Sequence, residues 1–176
     1  MWIIEAPATG TGKDNRIMHN SSMDVLSART EISEVIYRFS RALDSQDWVL
    51  LRSCFTDELF VDYADFRQQE PTRISADEFV TQRSFGLSGL KTQHLSSNHE
   101  ITIRGEQAVC LSTSVIYRLD PEMKAENSFD THCQYEHSLI KTSEGWKVNA
   151  IRQRVIWSVG NPEVHRFHRN KDHQTS

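Results

Sequence analysis

The sequence has little of what marks a secreted, zinc-binding or membrane-spanning protein. Only three cysteines occur among its 176 residues, and Cys54, Cys110 and Cys133 are too far apart to form a CxxC pair. Their odd number and wide spacing argue against a disulfide framework or a zinc site, and are typical of reduced thiols. No apolar run approaches the roughly 20 residues that a membrane span requires. We therefore expect a cytoplasmic protein that does not enter membranes.

The chain also lacks an excess of positive charge. Lysine and arginine number 20 against 24 aspartates and glutamates, which gives a net charge of −4. Because no basic stripe is present, we do not expect a nucleic-acid partner. The histidines His165, His168 and His173 lie in a polar segment that offers no preformed site, so we expect no bound metal. The length predicts one domain with a core of its own.

The first regular pattern begins at Arg29. Apolar residues recur there at spacings of three and four, which predicts an amphipathic helix with Thr30 as its N-cap. Residues 1–24 have no sustained period, and we interpret them as a flexible tail. The recurring apolar positions are Ile32, Val35, Ile36, Phe39, Ala42 and Leu43.

Two further helices are predicted before the chain changes character. Residues 48–54 form a short helix that Asp47 caps. Ser75 begins a third helix with acids in its first turn, and Gly86 and Gly89 end it.

The remaining segments have the composition and spacing of strands. Glycine-containing turns at 105–106 and 143–145 predict hairpins between them. Helices followed by antiparallel strands predict an α+β domain over residues 25–162. Residues 163–176 form a polar tail, which in one interpretation covers a pocket of this domain. The predicted strands span residues 59–63, 92–104, 107–118, 128–141 and 146–157.

Two polar positions suggest acid–base chemistry. His94 lies at the start of a predicted strand, and Asp44 lies at the end of the first predicted helix. The two are about 50 residues apart and meet only if the fold brings them together. A carboxylate in contact with an imidazole fixes its tautomer, which would make His94 a general base near neutral pH.

Four segments share their order and spacing with one known group of proteins. They read RALDSQDWVLLRSCFTDELFVDYADF, SADEFV, LKTQHLSSNHEITIRGEQAV and HSLIKTSEGWKVNAIRQRVIW. Together they resemble the SnoaL-like branch of the nuclear-transport-factor-2-like superfamily, and within it the scytalone dehydratases and bile-acid dehydratases. The resemblance covers about residues 29–160 and implies a cone-shaped barrel, in which a strongly curved mixed β-sheet wraps around three N-terminal helices and a central pocket.

The resemblance also implies roles for individual residues. Asp44 matches the aspartate that orients a catalytic histidine, His94 matches that histidine, and Tyr63 matches a tyrosine that polarises a substrate carbonyl. The implied reaction uses no cofactor. A partner subunit in a homodimer or homotrimer is also implied.

The chain departs from scytalone dehydratase at several pocket positions. Leu43 replaces the tyrosine before the aspartate, and Ser112, or Ser114 in the alternative register, replaces a second catalytic histidine. Gln134 and Glu136 stand where the pocket serine and asparagine are expected. The second-histidine half of the site is therefore absent, and Glu136 is a hypothetical replacement acid.

Strand periodicity extends this expectation to neighbouring side chains. On the strand at 128–141, a period of two puts His132, Gln134, Glu136 and Ser138 on one face, which is either solvated or part of a polar pocket. The family alignment favours the pocket. Arg152 and Arg154 share one face of the last strand, at the surface, at a subunit contact or in the pocket.

We therefore predict a cofactor-free dehydratase, or an isomerase or cyclase, that acts on a small cyclic carbonyl compound of polyketide or terpenoid type. The apolar residues expected at the pocket mouth are Phe39, Phe60, Phe85 and Leu87. Two other interpretations stay open. One is a non-catalytic ligand-binding or scaffold protein of the same fold, and the other is a protein like the small subunit of a ring-hydroxylating dioxygenase.

Overall fold

The computed structural model describes residues 14–67 and 70–165, which form four α-helices, one 3₁₀ helix and a single β-sheet. The helices are α1 (Asp14–Ser45), α2 (Trp48–Ser53), α3 (Ala64–Arg67), α4 (Ala76–Leu87) and the 3₁₀ helix Pro162–Val164. The strands are β1 (Phe55–Asp62), β2 (Thr72–Ser75), β3 (Lys91–Arg104), β4 (Gln107–Leu119), β5 (Phe129–Thr142) and β6 (Gly145–Gly160).

The six strands form one mixed sheet in the order β2-β1-β6-β5-β4-β3. Neighbours are antiparallel except β1 and β6, which run parallel with Val61 opposite Ile151. The sheet stays open, with β2 and β3 at its edges, and curves like a cone. The predicted α+β class is therefore confirmed. The sheet is mixed because β1 and β6 run parallel, which the long connection between them allows.

The helices cover one side of the sheet, which we call its inner face. Every second residue of β4 and β5 is buried on that face, while the residues between them are half-buried or exposed. All six recurring apolar positions of the first predicted helix are buried against this face, from Ile32 to Leu43. Burying one such side chain contributes roughly 1.5–3 kcal/mol, so the pattern that predicted the helix also holds it on the sheet.

Helix α1 begins earlier than its apolar pattern does. It starts at Asp14, whereas the prediction placed residues 14–24 in a flexible tail and the cap at Thr30. The cap was predicted wrongly, since Thr30 lies inside the helix and its hydroxyl donates to the carbonyl of Leu26. The flexibility of the tail stays a prediction. Met23, Val25 and Leu26 are exposed, so burial does not mark the segment of the helix that precedes Ala28. Residues 1–13 lie outside the described part.

The two short-range caps were predicted correctly. The carboxylate of Asp47 accepts the backbone N–H of Leu50, and the hydroxyl of Ser75 accepts that of Glu78. Each fills one orphan donor of a helix start. Helix α3 and strand β2 were not predicted, and they lie in the segment expected to be a polar loop after Tyr63.

The outer face of the sheet carries large apolar side chains in contact with solvent, which include Leu95, Tyr117, Trp157 and Val159. The homodimer or homotrimer expected from the sequence stays a prediction. Within the described residues, every helix is too short or too polar to cross a lipid bilayer.

Gly160 provides a test of how β6 ends. Its φ is +99°, and a Cβ at this position would overlap the backbone carbonyl of Ser128. We expect Gly160→Ala to lower the free energy of unfolding by about 2 kcal/mol or more, because both the backbone angle and the close approach oppose a side chain.

The matched control is Gly105→Ala. Gly105 has a φ of +60° in the β3–β4 turn, and an added Cβ there meets open space. We expect it to lose only about 1 kcal/mol. Chemical denaturation of both variants measures the difference. Equal losses would mean that the overlap at Ser128 is not what constrains Gly160.

Candidate functional site

The structure brings His94 and Asp44 into direct contact. The Nδ1 atom of His94 lies 2.5 Å from Asp44 Oδ1, and the backbone N–H of His94 donates to Oδ2 at 2.8 Å. The hydroxyl of Thr92 donates to Oδ1 at 3.1 Å. The end of α1 therefore holds a carboxylate against the start of β3 through three hydrogen bonds, and the contact predicted from the sequence is confirmed.

These contacts determine which nitrogen of His94 is available for chemistry. A carboxylate only accepts hydrogen bonds, so Nδ1 carries the proton and Nε2 is left as the base. The side chain of His94 is 8% exposed. Burial lowers the pKa of His94 below its usual range and outweighs the raising effect of Asp44, and the charges of Arg118 and Arg83 lower it further. The ring is therefore neutral near pH 7 and ready to accept a proton.

Asp44 differs from its partner in its access to solvent. Its side chain is 25% exposed. It faces a cleft of about 680 Å³ between α1 and β3, lined by residues that include Tyr37, Ser40, Arg41 and Ser96. His94 lines the same cleft, although its side chain is less exposed than that of Asp44.

Two tyrosines and a glutamine form a chain of neutral hydrogen-bonding groups on the inner face. Tyr63 and Tyr135 are both buried, and their side chains are hydrogen-bonded to each other. The amide of Gln153 donates to the Tyr135 hydroxyl at 2.8 Å. Burial raises the pKa of both phenols, so they stay protonated. Protonated phenols can donate to a carbonyl or enolate oxygen.

Two buried arginines lie on the same side of the sheet. Arg83, on α4, has its guanidinium 5.4 Å from the ring centre of Tyr63. Arg118, on β4, donates to the hydroxyl of Thr131 at 2.9 Å. The positive charges of both arginines act on His94, since both lower its pKa. The site is therefore more cationic than the apolar pocket predicted from the sequence.

Further buried polar atoms lie along the inner face. Ser112 is opposite Tyr135 and is buried, as the prediction of a pocket position requires. Its hydroxyl and both ring nitrogens of His137 make no hydrogen bond to the described residues. His137 stacks on Tyr135, and burial lowers its pKa to about 3. It is therefore a neutral imidazole held by ring contacts.

Comparison with known proteins assigns this chain to a family. A profile of the SnoaL-like domain matches residues 24–152, well over half of the chain. The chain belongs to the SnoaL-like family. The match begins in α1 and ends in β6, so it spans the elements that carry Asp44, His94 and both buried arginines.

The relatives of this SnoaL-like chain have low sequence identity. A scytalone dehydratase-like protein, Arp1, of Metarhizium anisopliae is 23% identical over 159 residues, which are 84% of this chain and 83% of the relative. The solved structure of the Kfla4162 protein from Kribbella flavida is 18% identical, with a TM-score of 0.77 over 81% of this chain and 99% of that one. A hexachlorocyclohexane dehydrochlorinase, LinA type 2, is 13% identical, with a TM-score of 0.67 over 82% and 95%.

The structure corrects the predicted lining on β5. His132, Gln134 and Glu136 lie on the outer face of the sheet, because the buried face of this strand is the alternate set that contains Tyr135 and His137. His132 stacks on Trp157 with ring centres 4.2 Å apart. A shift of one residue in the alternation moves every side chain to the opposite face, and the alignment was shifted in this way.

Glu136 is consequently no candidate for the general acid. Its side chain is 41% exposed and accepts a hydrogen bond from Arg152 at 3.3 Å. Arg152 also donates to Asp62 at 2.9 Å. Arg154 is exposed and pairs with Asp65. We call the buried side chains of His94, Tyr63, Tyr135, Arg83 and Arg118 on the inner face the inner cluster. Both arginines of β6 therefore lie outside it.

The aromatic residues predicted at the pocket mouth are spread over the molecule. Phe39 is a core residue that meets Phe55 and His137 edge-on. Phe85 is 55% exposed on α4, and its place at the mouth of the pocket stays a prediction. Phe60 is half-buried beside Arg73, and Leu87 is buried in the core.

Sequence reasoning missed the cationic residues, although a signal for each was present. Arg118 is six residues after Ser112 on one strand, so a period of two puts both on the same face. Arg83 is four residues after the buried Phe79 on α4, which places both on one side of that helix. Tyr135 and His137 can be assigned to the inner face from the alternation of β5, once it is known which alternate set is buried.

The start of the predicted C-terminal cover is ordered against the inner cluster. Val164 and His165 are buried, and the His165 ring lies 4.9 Å from that of Phe66. His168 and His173 lie outside the described residues. Within the described ranges, the structure contains no group of three or more histidine, cysteine or acidic side chains arranged to hold a metal ion.

Proposed function

We propose that this SnoaL-like protein is a cofactor-independent lyase or isomerase that moves a proton next to the carbonyl group of a small cyclic metabolite. The observation that carries the proposal is the contact between His94 and Asp44, in which a buried imidazole keeps Nε2 available as a base. The relative named scytalone dehydratase-like supports a dehydration among the possible reactions.

The reaction is a proton transfer followed by loss of a leaving group. His94 Nε2 takes the proton from the carbon next to the carbonyl, and the electron pair of that C–H bond forms an enolate. Tyr63 donates a hydrogen bond to the enolate oxygen, and Asp44 stabilises the imidazolium that has formed. The enolate then collapses and expels a β-hydroxyl group.

His94 also supplies the acid that the departing oxygen needs. Its Nε2 now carries the substrate proton and can return it to the leaving hydroxyl, which gives water and an enone after a syn elimination. Return of the proton to a different carbon would instead give an isomer. One histidine therefore suffices for either reaction, and Glu136 on the outer face is not required.

A screen of cyclic β-hydroxy ketones in D₂O tests the proposal. Absorbance of the enone measures elimination, and NMR measures deuterium uptake at the carbon next to the carbonyl. We expect at least one compound to react far faster with the protein than with free imidazole at the same concentration, since a positioned base gains 10²- to 10⁴-fold. Rates that never exceed those of imidazole would contradict the proposal, and binding without turnover would support the ligand-binding alternative.

A further inference from the structure

The inner cluster contains more positive charge than proton abstraction needs. We propose that the substrate of this site carries a carboxylate, which the Arg118 guanidinium binds beside His94 while Arg83 adds a second positive charge. This inference rests on the proposed function and narrows its substrate to cyclic oxo acids.

Strand register places Arg118 next to the catalytic pair. Arg118 is directly opposite Thr92 in the β3–β4 ladder, and His94 is opposite Ile116. Arg118 and His94 are therefore diagonal neighbours on the inner face, where such pairs have Cα atoms roughly 7–8 Å apart. Thr92 in turn donates to Asp44. A small ring compound can span the distance from the guanidinium to the imidazole.

The side chains in contact with Arg118 are largely aromatic. The residue is 5% exposed, and its guanidinium carbon lies 5.3 Å from the ring centre of Phe66 and 5.8 Å from that of Phe129. Its hydrogen bond goes to the hydroxyl of Thr131. Among the described residues no carboxylate forms an ion pair with it, and Asp130 acts on it only through its more distant charge.

A guanidinium in such a place is costly unless an anion joins it. Burial, together with a smaller effect of the charge of Arg83, lowers the pKa of Arg118 to about 10. At neutral pH the group is still protonated. Unfavourable burial of a charge is offset when an opposite charge is bound with good geometry.

Arg83 strengthens the preference for an anion. It is 9% exposed, and its guanidinium carbon lies 4.9 Å from the ring centre of Phe79 and 5.4 Å from that of Tyr63. Its charge acts on both Arg118 and His94. A substrate anion would therefore be attracted by two cations and would reduce the repulsion between them.

The guanidinium and the phenols are hydrogen-bond donors that suit two different groups of a substrate. The planar guanidinium fork matches the two oxygens of a carboxylate, whereas the protonated phenols of Tyr63 and Tyr135 match a single carbonyl oxygen. A cyclic oxo acid presents both groups at once. The carboxylate would fix the ring, and the carbonyl would lie toward the phenols with the acidic C–H near His94.

A pair of matched probes tests this assignment without turnover. The probes are 3-oxocyclohexanecarboxylate and its neutral carboxamide, and NMR titration of the protein at pH 7 gives both dissociation constants. We expect the carboxylate to bind at least about tenfold more tightly, which corresponds to about 1.4 kcal/mol. We also expect it to raise the pKa of His94, because it counters the charges of the two arginines.

The variant Arg118→Gln should bring the two affinities to within about twofold. Arg154→Gln is the control, because Arg154 is an exposed arginine of β6 outside the cluster, and it should keep the full preference. Arg118→Lys retains the positive charge but not the planar guanidinium, so it should keep part of the preference for the carboxylate over the carboxamide. This variant replaces Arg118→Gln in the test if the glutamine variant does not fold.

Three results would overturn the inference. They are equal affinity for the two probes in the unchanged protein, a preference that survives Arg118→Gln, and carboxylate binding that leaves the pKa of His94 where it was. Since every readout is binding or titration, a protein that binds the carboxylate but fails the reaction screen would refute the proposed function and leave only the assignment of Arg118 as a carboxylate-binding residue.

Discussion

His94→Gln is expected to lower the rate of the proposed reaction about 10²- to 10⁴-fold, the usual contribution of a positioned general base. Glutamine occupies similar space and can still hydrogen-bond to Asp44, but it cannot accept the substrate proton. The rate constant with the best compound of the ketone screen measures the effect. The fold should be kept, since the change replaces one polar side chain by another of similar size.

The control and a second variant separate catalysis from other effects. His132→Gln changes a histidine that stacks on Trp157 on the outer face, so its rate should equal that of the unchanged protein. Asp44→Asn removes the charge that raises the pKa of His94, and we expect that pKa to fall by about a unit or more, which is about 1.4 kcal/mol of coupling. A full rate in His94→Gln, or an unchanged pKa in Asp44→Asn, would show that the pair is not a catalytic unit.

The rate should also depend on pH through His94. Because burial lowers the pKa of this residue, the neutral base is present at pH 7 and is lost only when the pH falls through that lowered value. An acidic limb that begins below pH 6.5 is therefore expected in the rate profile of the unchanged protein.

The order of elements and the main contact of the site could be predicted from sequence because they depend on strong local patterns and on the family resemblance. The apolar spacing from Ile32 to Leu43 specified one face of α1, and the glycine turns separated the long strands. The contact between Asp44 and His94 is long-range, and only the family resemblance indicated it.

The phase of β5 could not be derived from composition. One alternate set contains Thr131, Cys133, Tyr135 and His137, and the other contains His132, Gln134, Glu136 and Ser138. Both sets carry polar groups, so hydrophobicity does not identify the buried one. The register shifts at His132/Cys133 and Ser138/Leu139 insert their extra residues, Ile156 and Asn149, in β6 and leave the alternation of β5 unbroken.

This ambiguity has a physical origin in the site itself. A strand that buries polar side chains loses the contrast between its two faces on which pattern reading depends. The same holds for Arg118, which looks like a surface residue by type although it is 5% exposed. Sequence reasoning therefore failed at the residues that make the interior cationic, where burial of polar groups conflicts with local preference.

Buried polar groups of this kind should also make stability sensitive to acid, and His137 is expected to show the largest effect. Burial lowers the pKa of His137 to about 3 from its usual 6.5. Between these values the unfolded chain binds a proton that the folded protein does not, so the contribution to stability is complete above pH 6.5 and is lost as the pH falls. The loss approaches roughly 1.4 kcal/mol per pH unit.

His137→Phe removes this proton linkage while keeping an aromatic ring against Phe39 and Tyr135. We expect the free energy of unfolding of the variant to fall less steeply from pH 6.5 to 4, with a difference of roughly 3 kcal/mol accumulated at pH 4. Urea denaturation at a series of pH values measures both slopes. The lowered pKa of His94 contributes equally to both proteins and cancels in the comparison.

Phe39→Leu is the control, because it alters the same cluster without a titratable group. It should lower stability by a similar amount at every pH and keep the slope of the unchanged protein. Parallel curves for His137→Phe and the unchanged protein would mean that His137 takes up its proton in the fold at the same pH as in the unfolded chain. In that case the inner face would gain a third buried cation beside Arg83 and Arg118 once the pH falls below the usual pKa of histidine, about 6.5.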